Sequence, residues 1–230
     1  MAVLTECETH LLAMYEQLRE NPNVQIFSAK SGQIIEEYGD AREVFRKISI
    51  LHGISLDNSL QQCSVRFDWF SSHWRIERPG IQLTGEFTIR HLLTSMNVKA
   101  PDIEWGETSS ERQLYSELRV IDHHPGSGTG TFAALRIKPD MPLPEVWFHD
   151  FRVGMFKMDI DYCEYLEALA VTKGTFGWHY LYCDVSLGGS EFRQVAHDLE
   201  DMLVVFSELF PEYDYAPLRE RLEERLEARR

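Results

Sequence analysis

Leu118-Arg119-Val120-Ile121-Asp122-His123-His124-Pro125-Gly126-Ser127-Gly128-Thr129-Gly130, continuing through Thr131 into Phe132-Ala133-Ala134-Leu135-Arg136-Ile137, is the stretch whose reading decides the fold. Read as chemistry, two histidines beside an aspartate can hold a divalent metal, and the glycines let a backbone approach a phosphate. Read as structure, the polar run separates two apolar segments of strand length, and the glycines form a connection within a sheet. The second reading is preferred, because the surrounding sequence supplies strands and lacks the companions the chemistry needs.

Working outward, strands are expected at 117–123, 131–138, 144–149 and 153–158. Upstream, Val65, Phe67, Trp69, Trp74 and Ile76 alternate with polar residues, and Ile81, Leu83, Phe87 and Ile89 continue past Pro79-Gly80. This period of two predicts an antiparallel meander. Residues 99–113 are polar and read as a loop. Helices flank the strands. Leu4, Leu11, Leu12, Met14, Tyr15 and Leu18 recur at helical spacing up to Asn21-Pro22. Asp40 with Glu43 caps a helix that Gly53 closes, and a shorter helix is expected over Leu56–Gln62. Asp161 with Glu164 caps another, with Gly174 past its end. Ser190 opens a helix carrying Phe192, Val195, Leu199, Leu203 and Phe206. A last helix from about Pro217 places Leu218, Leu222 and Leu226 on one stripe, with an Arg219–Glu223 pair on its polar face, and reads as either a thin lid on the core, the preferred reading, or a partner-binding helix. Helices, then strands, then helices predict an α+β fold: one domain over 1–230 with a mostly antiparallel sheet, and 190–230 as a C-terminal helical extension.

The composition narrows the function. With 230 residues and 43% hydrophobic content the chain can bury a substantial core. Thirty-seven acidic against 23 basic side chains give a net charge of −14, which repels nucleic acid and anionic membrane and favours a basic partner. Cys7, Cys63, Cys163 and Cys183 form no C-x-x-C pair and read as reduced thiols of a cytoplasmic protein. Glu6 and Glu8 stand where a signal peptide carries basic residues, and no apolar run is long enough to span a membrane.

Asp122-His123-His124-Pro125 resembles the third motif of the DHH phosphoesterases, which would imply a two-metal hydrolase centred on Asp122, His123 and His124. That family's N-terminal Asp-x-Asp is missing, and the one such spacing, Asp159-Ile160-Asp161, falls downstream at a helix start. Gly126–Gly130 lacks the Gly-Lys-Ser/Thr of a P-loop and runs into a strand. No G-x-S-x-G elbow occurs. His149-Asp150, adjacent on a strand, point to opposite faces and make a poor general-base pair. Trp178, Tyr180 and Tyr182 alternate as aromatics that pack a sheet or line a groove. Neither a catalytic residue, nor a metal ligand, nor a cofactor is expected.

The run Leu118–Ile121, the turn Gly126–Gly130, Phe132–Ile137, Glu145-Val146-Trp147-Phe148-His149-Asp150 and Tyr162-Cys163-Glu164-Tyr165-Leu166-Glu167-Ala168-Leu169 together resemble the SUKH superfamily, which includes bacterial toxin-immunity proteins and a yeast cell-wall regulator. The resemblance covers about half of the chain. It implies a non-enzymatic binding module that occludes a toxin, often a basic nuclease. The acids that gather in the C-terminal half then become a docking surface, with Asp150, Asp159, Asp161, Glu164, Asp184 and Trp178 as the expected contact residues.

Overall fold

A computed structural model describes residues 4–98 and 108–227. The fold is α+β. Helix α1 (Glu6–Glu20) leads to β1 (Val24–Lys30) and α2 (Ala41–His52). Strands β2 (Trp69–Arg78) and β3 (Ile81–Arg90) follow, then α3 (Leu92–Asn97) and α4 (Ser109–Glu117). Strands β4 (Leu118–His123), β5 (Phe132–Arg136), β6 (Glu145–Asp150) and β7 (Gly154–Lys157) precede α5 (Tyr162–Thr172), α6 (Arg193–Leu209) and α7 (Ala216–Glu227).

The strands do not form one sheet, as the sequence suggested. Among the described residues they make two antiparallel sheets, in the orders β1-β2-β3 and β4-β5-β6-β7. The division has a local cause at the outer edge of β3. The Glu86 amide donates to the Gly174 carbonyl (2.9 Å), the Phe176 amide donates to the Thr84 carbonyl (2.9 Å), and the Thr88 amide donates to the Asp122 carboxylate (2.6 Å). That edge is therefore occupied by the 174–176 segment and one side chain, and it has no ladder left to offer β4. Gly174 makes this approach possible. Its φ is +70°, and a Cβ there would lie 2.9 Å from the Glu86 carbonyl oxygen.

Several helix ends follow their capping chemistry. Thr5 with Glu8, and Asp161 with Glu164, form reciprocal capping boxes, and Asp40 accepts from the Glu43 amide. Other expectations are corrected. Residues 109–113 belong to α4, capped by Thr108 and Glu111, whereas 99–107 lie outside the described residues. Val65 and Phe67 precede β2 in irregular chain, with Phe67 bridged to Ile34. The segment over Leu56–Gln62 is a 3₁₀ helix at Asn58–Cys63. The aromatic run Trp178–Tyr182 is a buried 3₁₀ helix, so Trp178 and Tyr180 are core residues and do not pack a sheet face by alternation. Cys63 and Cys163, 5.3 Å apart at Cα, form a disulfide between that 3₁₀ helix at 58–63 and α5, which corrects the expectation of four free thiols. Arg219 turns to α6, donating to the Leu203 carbonyl and to Ser207, in place of the expected Glu223.

One apolar cluster runs from Leu11 and Leu18 on α1 through Trp74, Phe87, Ile121, Phe148 and Tyr165 to Leu218 and Leu222 on α7. Two buried charges tie its parts together. Lys173 is fully buried: its Nζ donates to Gln17 of α1 (2.8 Å) and lies 4.3 Å from the ring centroids of both Phe210 and Tyr213, while its carbonyl receives Trp74 Nε1 (2.8 Å). Burial pushes the ammonium pKa down to about 7. Glu8, also fully buried, accepts from Arg66 Nε and the Arg66 amide (2.9 Å each), from Arg66 Nη2 (2.6 Å) and from the Thr5 amide (2.9 Å). Although burial works to raise its pKa, these bonds prevail and lower it. Removing one partner of a buried pair costs far more than the pair contributes. Glu8→Ala is expected to lose about 3 kcal/mol in urea denaturation, and Glu8→Gln, which keeps one acceptor oxygen, clearly less. A Glu8→Gln loss near zero would mean that the charge contributes nothing.

Candidate functional site

A β-bulge sets the site. Ladder pairing between β4 and β5 slips between Val120 and Asp122, so that Ile121 and Asp122, consecutive in sequence, are both buried. Asp122 thereby faces inward. Its carboxylate accepts from the Thr88 amide and from Tyr165 Oη (2.8 Å), and Tyr165 Oη meets His179 Nε2 at 3.1 Å. Burial raises the Asp122 pKa to about 7 and lowers that of His179 well below the ordinary histidine value. With Asp122 ionised, Tyr165 donates to it and accepts from His179. His179 is then the Nε2–H tautomer, and its Nδ1 carries a bare lone pair. That nitrogen is buried and has no hydrogen-bond partner among the described residues. The ring is held flat between Phe148 and Trp178, each at a centroid distance of 4.2 Å.

His179 lines a cavity of about 300 Å³ that opens between the end of β6, the 176–180 segment and the start of α6. Phe148, Phe176 and Tyr180 supply apolar walls. His124 closes one side, with Nδ1 2.6 Å from Thr131 Oγ1 and its pKa pushed down to about 4 by burial. Asp150, Arg152, Glu191, Gln194 and Asp198 form the polar part of the lining. Asp150 accepts from the Arg152 amide (2.8 Å), Arg152 Nε (3.2 Å), Arg152 Nη2 (3.0 Å) and Tyr180 Oη (2.8 Å). Burial opposes ionisation of Asp150, but those donors hold its pKa below the usual carboxylate value. Asp198 accepts from Gln194 Nε2 (2.7 Å), and burial raises its pKa. The turn that carries Arg152 also exposes Phe151 and Val153.

The Asp122-His123-His124 run is dispersed by this geometry. Asp122 points to Thr88 and Tyr165, and His124 to Thr131. His123 Nε2 accepts from Arg90 (3.1 Å), with its ring edge-on to Trp69. No group of three His, Cys, Asp or Glu side chains suited to a metal occurs among the described residues. His149 and Asp150 also part: His149 stacks on Phe132 (4.7 Å) while Asp150 faces Tyr180.

The acids and the tryptophan expected on a docking surface fall in different places. Trp178 is fully buried, and Asp150 is 1% exposed, so neither is a surface contact; a cluster of acids or aromatics along the chain does not say which of them is covered. Asp150 does reach the cavity wall. Asp159 is exposed, but it is held by Arg221 (2.9 Å) and Arg225 (3.2 Å), pinning α7 to the body. Asp161 and Glu164 are exposed and cap α5, and Asp184 is exposed beyond the 3₁₀ helix. Sequence reading missed His179, Arg152 and Tyr180 as neighbours of His124. The one signal available was a histidine inside an otherwise apolar aromatic run, Gly177–Tyr182.

No protein-family model matches the chain, and no curated protein or solved structure shows significant similarity to it. No helix among the described residues is long and apolar enough to cross a membrane.

Proposed function

We propose that this chain is a non-enzymatic protein-binding module of the immunity type, which neutralises a basic toxin, a nuclease by class, by occluding it. The carrying observation is the cleft beside the β6–β7 turn, where Asp150, Glu191 and Asp198 gather on a chain of net charge −14 and exposed Phe151 and Val153 stand alongside. An apolar contact with an acidic surround is the arrangement that binds a basic protein quickly and specifically. The resemblance of Leu118–Leu169 to the SUKH superfamily supports the same reading. Residues 1–230 act as one body with 190–230 as its helical extension, without a cofactor.

Where a gene for a basic nuclease-type toxin domain lies beside this one, its purified product is the probe. Purified chain is titrated into the toxin's activity at several ionic strengths. Inhibition saturating at one chain per toxin is expected, with Kd weakening about tenfold or more between low and high salt. Inhibition by catalytic amounts of the chain, or none at equimolar amounts, would overturn the reading.

A further inference from the structure

Resting on that reading, we propose that the cleft is a receptor for one arginine side chain of the basic partner, which enters between Phe148, Phe176 and Tyr180 and lies against Asp198 and His179.

Three observations converge on a guanidinium. The first is unsatisfied acceptor capacity. His179 lines the cavity, its Nδ1 is buried without a partner, and with Asp122 ionised that nitrogen is an acceptor. A buried acceptor left unpaired is costly, and a donor arriving with a ligand relieves that cost. The second is charge. Glu191 approaches the cleft from the 3₁₀ turn before α6, Asp198 from α6 and Asp150 from β6; Arg152 is the one lysine or arginine among the lining residues, and it is already bound to Asp150. Asp198 is partly buried, and Gln194 gives it a single neutral hydrogen bond at one oxygen. His197 and Asp201, on the same helix, act on Asp198 with opposite signs. The third is shape. Aromatic walls favour a planar, delocalised and weakly hydrated cation over a compact ammonium, and several acceptors spread around a cleft suit a fork of donors better than a point charge. The Asp150–Arg152 pair shows the same chemistry at the rim in cis: an amide and two guanidinium nitrogens on one carboxylate.

Argininamide, lysinamide and norleucinamide are titrated into the full-length chain, with chemical-shift changes of the His179 and His124 ring protons as readout. Argininamide is expected to shift both at millimolar concentration, lysinamide about tenfold more weakly, and norleucinamide not at all. His179→Phe keeps the stack between Phe148 and Trp178 and removes the acceptor, and Asp198→Asn removes the charge. Each is expected to weaken argininamide about tenfold, with an unchanged melting temperature for Asp198→Asn. Val195→Trp, which fills the cleft from α6, should abolish argininamide binding and weaken the toxin complex by about a hundredfold. Equal responses to argininamide and norleucinamide overturn the inference. So does a Val195→Trp chain that binds toxin as tightly as the parent, and in that case the immunity reading stands. If the toxin itself does not bind, that reading fails, while the argininamide titration still decides what the cleft accepts.

Discussion

Replacing Gly85 with alanine is expected to lower stability by about 3 kcal/mol, the upper end for an overpacked core. Gly85 has no unusual backbone angle; what it supplies is room. It stands opposite Trp74 in the β2–β3 ladder, and the indole lies across it. A Cβ at this position would fall 2.3 Å from Trp74 Cζ2 and 2.5 Å from Cε2. The indole has little freedom to yield. It is fully buried, its Nε1 donates to the Lys173 carbonyl, and its ring is 5.9 Å from that of Phe206. The Cα of Gly85 is held as well, by the ladder on one side and the bridge to Thr175 on the other. The loss should appear as a lower guanidinium midpoint with an unchanged slope. A double-mutant cycle isolates the cause: in a Trp74→Leu background Gly85→Ala should cost less than 1 kcal/mol. A cost that persists without the indole would show that the backbone, and not the ring, requires glycine.

Acid is expected to unfold this protein well above the pH at which ordinary carboxylates are protonated. Burial pushes His91 and His124 down to about 4. The unfolded chain, with histidines near 6.5, therefore binds more protons than the native state between about pH 6.5 and 4, and stability falls as pH falls through that window. Each of these two fully or almost fully buried rings contributes about 3 kcal/mol, at 1.36 kcal/mol per pKa unit. His179, lowered by burial, adds in the same direction, and so does half-buried His123 with a smaller weight because water screens it. Asp122 opposes them. Its pKa is raised to about 7, so the native state holds the extra proton between about pH 4 and 7, which returns about 4 kcal/mol on acidification. Two quantified histidines already exceed that one carboxyl, and the further histidines widen the margin. Circular dichroism against pH should show cooperative loss of structure between pH 6 and 4. His91→Asn keeps an acceptor for the Leu93 amide and removes the titrating ring, and should move the midpoint to lower pH. A midpoint below pH 3, or one indifferent to His91, would show that the rings are solvated when protonated.

The elements were largely readable from the sequence because their signals are local. Capping pairs such as Asp161 with Glu164 mark a helix start through side chains three residues apart, and period-two runs such as His73–Glu77 mark a strand. The partition into two sheets was not readable, because it depends on which partner takes the Thr84, Glu86 and Thr88 edge, and the answer lies some 35 to 90 residues downstream at Asp122 and Gly174–Phe176. The cleft was legible only as loose parts. Acidic residues were noticed, but the pattern of charge along a chain does not say which carboxylate is exposed. Asp150 and Asp159, nine residues apart, end respectively in a buried hydrogen-bond set and a surface pair with α7. The bulge that turns Asp122 inward leaves no mark in the residue types of β4. The alternation there predicts that one of Ile121 and Asp122 faces solvent, and both are buried.

Lys173 also carries an implication for how the molecule is made. Its ammonium is satisfied by Gln17, near the start of the chain, and by Phe210 and Tyr213, near its end, while its carbonyl secures Trp74 between them. A ribosome delivers those partners in order, and the aromatic pair follows the lysine by some forty residues. Until that pair emerges, the nascent polypeptide holds a cation without its aromatic cage at the centre of its future interior, so this part of the body can close only once α6 has been made.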